Sequence, residues 1–98
     1  MDFYTIKVTY KVSVERIMET VPAHREHLAK YYAEGLILFS GMQLSKEGGM
    51  IVMRSPNREK VDGMIKDDPF NLEGLAEYEV VAFEARAWQP FLEDWVNA

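Results

Sequence analysis

The chain has 98 residues, 48% of them hydrophobic and 28% charged, which suits one modest core and is too apolar for a disordered segment. The 11 Lys and Arg against 16 Asp and Glu leave a net charge of -5, with no basic run to offset it, which argues against a nucleic-acid partner. Cysteine is absent, so disulfide and thiolate chemistry are excluded and a reducing, cytoplasmic setting is expected. The N-terminal residues alternate and carry Asp2, unlike the basic start and apolar run of a signal peptide. No apolar stretch approaches the roughly 20 residues of a membrane helix, so no membrane partner is expected.

Residues 3–12 are the clearest strand, with Tyr4, Ile6, Val8, Tyr10 and Val12 alternating against Thr5, Lys7, Thr9 and Lys11. Residues 13–20 form a connector with a possible helical turn capped by Ser13. Pro22 then suits the first turn of a helix running to about Glu34, with Gly35 as its stop. Leu36 to Phe39 is apolar on both sides and begins a buried strand extending to about Leu44. Residues 46–49, Lys-Glu-Gly-Gly, read as a hairpin turn in which paired glycines accept positive φ, and residues 50–53 as the returning strand. Ser55 and Pro56 open a second helix, with Val61, Met64 and Ile65 inward and Asp68-Pro69 ending it. Residues 71–74 are a loop, and residues 77–87 a strand apolar on both faces at its middle. In the tail, Trp88, Phe91, Leu92, Trp95 and Val96 have the spacing of an amphipathic helix, whose stripe needs the chain's own sheet or a second subunit to cover it.

The order is β-α-β-β-α-β plus a tail: an α+β, ferredoxin-like arrangement over residues 1–98, with helices on one face of an antiparallel sheet. Several strands are apolar on both sides, and no further element is left to cover the second face. A second copy of the sheet is the economical cover, so a homodimer with sheets face to face is expected.

His24 is the best candidate for acid/base chemistry, because an imidazole gives or takes a proton near neutral pH. Asp68, on a loop after a helix, could fix its tautomer. Spacing alone favours a plainer account, with His24 packed at a helix start and Asp68 ending a helix by turn chemistry. His27, three residues on, would make a His-x-x-His pair, but no third ligand follows at a useful spacing, and a surface or tyrosine-neighbouring histidine is expected instead of a metal site. Tyr31 and Tyr32 fit core packing better than a cleft. Gly48-Gly49 lacks the Lys-Ser/Thr helix start of a phosphate loop, and Ser40-Gly41 lacks the context of an esterase nucleophile. No cofactor is expected.

Pro22-Ala23-His24 followed by Leu28 and Gly35, then Ser40-Gly41, then Asp68-Pro69-Phe70, and finally Gln89-Pro90-Phe91 together resemble the YCII-related family of the dimeric α/β-barrel superfamily. The resemblance implies a His-Asp dyad of His24 and Asp68 in a pocket near a dimer interface. Beside it, Ser40, Phe70 and Lys7, the last on the polar face of the first strand, are candidate substrate contacts, with a solvated lysine as the plainer account of Lys7. It implies a cofactor-independent lyase or isomerase acting on a small cyclic or aromatic molecule, as in the family's dehydrochlorinase and the superfamily's muconolactone isomerase. A non-catalytic dimeric module for a small ligand or a protein is the alternative. Val21 stands where the family usually has arginine, which removes a cation able to hold an anionic substrate, and Met42 stands where it usually has proline.

Overall fold

The computed structural model describes residues 1–98. A four-stranded antiparallel sheet is formed by β1 (Asp2–Tyr10), β2 (Ile37–Met42), β3 (Gly48–Ser55) and β4 (Ala76–Phe83) in the order β2-β3-β1-β4. Helices α1 (Val14–Ala33), α2 (Arg58–Asp67) and the short α3 (Pro69–Leu72) cover one face. The order of elements is ferredoxin-like, as expected from the sequence. Alternation in β1 sends Tyr4, Ile6 and Val8 inward, where they meet Ile17 and Leu28 of α1, Ile51 and Met53 of β3, and Val61 and Met64 of α2. Each such aliphatic side chain, fully buried, contributes about 1.5–3 kcal/mol. No helix is long and apolar enough to cross a membrane.

Several local expectations are corrected. A single 20-residue helix replaces the connector and the later start at Pro22. Ser13 does cap it, its hydroxyl accepting from the Arg16 N–H at 3.3 Å. Ile17, Thr20, His24, Leu28 and Tyr31 form one unbroken inward stripe across Pro22, while Pro22 itself lies exposed, where the unpaired carbonyl of Met18 can bond water. Continuous packing therefore outweighs one missing bond. Asn57, not Ser55, caps α2, its side chain accepting from the Lys60 N–H, while Ser55 ends β3 with its hydroxyl donating to the Asn57 carbonyl.

The hairpin turn is also built differently. Its positive φ belongs to Lys46, at 65°, and both glycines are already in β3. Gly48 is required for another reason: a Cβ there would lie 1.6 Å from the Val8 carbonyl oxygen. At Gly35 the expected left-handed stop holds, with φ 74°.

The open face of the sheet carries Phe39, Val81 and Phe83, exposed by 61%, 50% and 42%. The strand at Leu36 is thus buried only at its start, and β4 ends at Phe83 instead of continuing to Ala87. After β4 the chain runs irregularly to a 3-10 turn at Pro90–Leu92 and a single α-turn, α4 (Glu93–Asn97), in place of one amphipathic helix. Trp95 folds back onto the chain's own sheet: its ring packs on Phe3 and under the Arg54 guanidinium, and its indole N–H donates to the Gly35 carbonyl at 2.9 Å. Phe91 remains 83% exposed.

Candidate functional site

A groove of about 440 Å³ runs between α1 and the β2–β3 edge of the sheet. Val21, His24, Arg25, Leu28, Ala29 and Tyr32 form its helical wall, Ser40, Gly41 and Met42 the opposite rim, and Tyr10 and Phe70 one end. Its volume falls within the usual range of small-molecule pockets, roughly 300–1,000 Å³.

The rim depends on an irregularity in β2. Ile37 pairs with Met53, yet Phe39 pairs with Val52, so Leu38 is an extra residue between them. That bulge inverts the alternation: Phe39 turns to the open face and Ser40 and Met42 turn toward α1. Without it, Ser40 would point away from the groove. The Ser40 hydroxyl instead meets the Tyr32 hydroxyl at 2.6 Å, a bond from helix to strand.

At the other end, His24 and Asp68 are in direct contact. Asp68 is 1% exposed and serves two backbone roles. Pro69 holds it in an extended conformation that ends α2, and its Oδ1 accepts from the Phe70 N–H at 3.0 Å to start α3. The same carboxylate faces His24 Nδ1 at 2.8 and 3.0 Å. An ionised carboxylate only accepts, so Nδ1 carries the hydrogen and Nε2 of a neutral ring keeps its lone pair. Nε2 has no partner within the chain and is not among its sealed, unpartnered atoms, so it is open to solvent on a side chain that lines the groove. Phe70 stacks flat against the imidazole, centroids 4.0 Å apart and planes within 6°, which fixes the ring's plane.

Tyr78 lies on the same side. It is opposite Val8 on the helix-covered face of the sheet, and its hydroxyl is buried with no partner at bonding distance. Burial first, and the neighbouring Asp68 carboxylate second, push its pKa up, so the phenol stays protonated and is available as a donor.

The other anticipated residues divide. Ser40 and Phe70 line the groove. Lys7 does not: its position in β1 places it on the open face, opposite Met50 and Glu79. His27 is not a surface residue but 7% exposed, with Nε2–H donating to the Met64 carbonyl at 2.7 Å and its ring edge against Tyr31. Tyr31 packs on the core, whereas Tyr32 belongs to the groove wall. No group of three or more His, Asp or Glu side chains has the geometry of a metal site.

Two residues, Arg25 in the groove wall and Tyr78 beside Asp68, were not anticipated from the sequence. Arg25 follows His24 directly, and its steps of four and seven to Ala29 and Tyr32 were the available signal. Tyr78 had none, since a tyrosine in a two-sided apolar strand looks like core.

No curated protein matches the sequence. Among solved structures, a 5-chloro-2-hydroxyhydroquinone dehydrochlorinase from Burkholderia phenoliruptrix AC1100, in complex with 2,5-dihydroxybenzoquinone, is similar at TM-score 0.69 and 18% identity, over 86% of this chain and 93% of that one. An antibiotic biosynthesis monooxygenase is similar at TM-score 0.60 and 18% identity, over 87% and 99%. At such identities these likenesses establish a shared fold and nothing more. The model of the YCII-related domain matches residues 1–84, every element from β1 to β4, and the chain belongs to that family.

Proposed function

We propose that this protein is a cofactor-independent enzyme of lyase or isomerase type, acting on a small cyclic or aromatic molecule in the cytoplasm. His24 Nε2 takes a proton from the bound molecule, Asp68 stabilises the resulting imidazolium through Nδ1–H, and the proton is returned to another atom of the same molecule or to its leaving group. The observation that carries this proposal is the contact of His24 Nδ1 with a buried carboxylate at 2.8 Å while Nε2 is left free beside the groove. The dehydrochlorinase of the same fold was solved with a small ring compound, which supports the substrate class.

We further propose a homodimer with the open sheet faces together. The exposed Phe39, Val81 and Phe83 support it, since a face this apolar is costly to leave in water. Size exclusion with light scattering should give a mass of two chains at micromolar concentration, and a stable monomer would remove this part.

Turnover is tested with a panel of lactones and halogenated hydroquinones, using His24→Ala as the control. Removing a general acid/base typically costs 10²–10⁴-fold, so loss of about a hundredfold or more is expected. Equal rates in both proteins would dismiss His24 as a catalyst. Exposed Phe91 and half-exposed Trp88, beyond the residues matched to the family, favour a second reading in which the protein is a binding module and the tail contacts a partner.

A further inference from the structure

Four of the five arginines are engaged within the chain. Arg16 pairs with Glu73 and Glu19, Arg58 with Asp62, and Arg86 with Glu84. Arg54 donates to the Gly35 and Trp95 carbonyls and lies over the Trp95 ring. Arg25 alone has neither an ion pair nor a side-chain hydrogen bond, and it lines the groove.

Its surroundings give that freedom a meaning. The groove wall holds no Asp, no Glu and no Lys, in a chain whose net charge is -5. Asp68, the nearest buried acid to the site, is turned to His24 and the Phe70 N–H and does not line the groove. Residues 21, 25, 29 and 32 follow one another at steps of four, four and three, so they form one row along α1, beside the row of His24 and Leu28. Ala29 on the next turn adds only a methyl group to this row, and Val21 on the previous turn brings no competing charge. The remaining wall is mostly apolar, with Leu28 and Ile51 among its residues.

We infer that Arg25 is the anion-binding residue of the groove, and that the site takes a small planar ring compound bearing a carboxylate. The ring would lie on the apolar wall, and the carboxylate would meet the planar fork of the guanidinium, which matches it with two parallel N–H···O bonds. A phosphoryl group would call for more than one cation, and none is present beside Arg25. This inference rests on the groove being a small-molecule site, as proposed above.

The test uses a pair of probes that differ in charge but hardly in shape, 4-hydroxybenzoate and 4-hydroxybenzamide, titrated by NMR into the isotopically labelled full chain. Wild type should bind the acid about fivefold to tenfold tighter than the amide, the scale of a partly exposed charge-assisted bidentate pair. Arg25→Gln should bring that ratio close to one. Arg25→Lys should keep part of it, because the charge remains and the fork is lost. Added salt should erode the wild-type preference. Equal affinities in wild type, a preference that survives Arg25→Gln, or no saturable binding of the acid each overturns the inference. The signals of His24 and Phe70 separate the two levels. If the amide shifts them while the acid shows no preference, only the role of Arg25 fails; if neither probe shifts them, the groove as a ring-binding site fails as well.

Discussion

His24 and His27 stand three residues apart on one helix, yet their surroundings make them different chemical groups. His27 is sealed: its Nε2–H is spent on the Met64 carbonyl and its ring is wedged against Tyr31. That carbonyl is in the last turn of α2, where carbonyls lack intrahelical partners, so His27 acts as a side-chain cap joining two helices. His24 meets a charged acceptor through Nδ1, is held by a flat stack on Phe70, and leaves Nε2 toward the groove. The lesson is that a histidine's partner, more than its burial, decides what it can do. A carbonyl uses the ring as a donor and stops there, whereas a carboxylate orients the ring and supports a charge on it.

The largest expected effect on stability falls on the group that ties His24 to the fold. Asp68→Ala removes the bond to His24, the cap on Phe70 and a buried side chain together, for a loss of about 3 kcal/mol in urea unfolding. Next comes His27→Ala, which leaves the Met64 carbonyl unpaired beside a cavity and should cost about 2 kcal/mol. His24→Gln keeps an N–H donor for Asp68 and should cost about 1 kcal/mol or less, while abolishing any proton transfer. If His24→Gln were the more destabilising of the two histidine substitutions, the contrast between them would collapse. Asp68→Asn sharpens it further, because the amide oxygen can still cap Phe70. Long-range nitrogen–proton spectra should show His24 as the Nδ1–H tautomer in wild type and a mixture in Asp68→Asn, with His27 in its Nε2–H form in both. An unchanged His24 tautomer would mean that Asp68 does not orient it.

Much of the fold was legible because it rests on periodicity: the two-residue alternation of β1, the Gly35 stop, and the apolar strands that pair as a hairpin. What misled the eye was strong local punctuation. Pro22 reads as a helix start, but the stripe from Ile17 to Tyr31 continues through it. Gly48 reads as a turn residue, but it is a glycine because the Val8 carbonyl passes too close for a side chain. Of the site, His24, Asp68, Ser40 and Phe70 were legible as a set through short motifs whose order resembles a family. Lys7 was misplaced because alternation assigns a residue to a face without saying which face holds the groove. The bulge at Leu38 left no mark in the sequence, and it alone decides that Ser40 faces inward while Phe39 does not.

The side of the molecule holding His24 has one more group without a counterpart near His27, and it yields the smallest predicted effect. The Tyr78 hydroxyl is buried and unpartnered, and its pKa is raised above the ordinary 10.0, first by burial and then by Asp68. Burial raises Tyr4, Tyr10 and Tyr31 in the same direction. A raised phenol pKa means that the folded chain holds the proton more tightly than the unfolded one. The stability so gained is complete below the unfolded value, near 10, and is lost as pH rises from there through the folded value. Urea midpoints should therefore stay level on this account up to about pH 10 and fall above it, by at most about 1.4 kcal/mol per pH unit for each phenol involved. Tyr78→Phe should leave neutral-pH stability within about 0.5 kcal/mol, because no hydrogen bond is lost, and should make the alkaline decline shallower. A neutral-pH cost above about 1 kcal/mol would instead show that the phenol bonds Asp68, and that the carboxylate behind His24 is held from two sides, an arrangement with no parallel at His27.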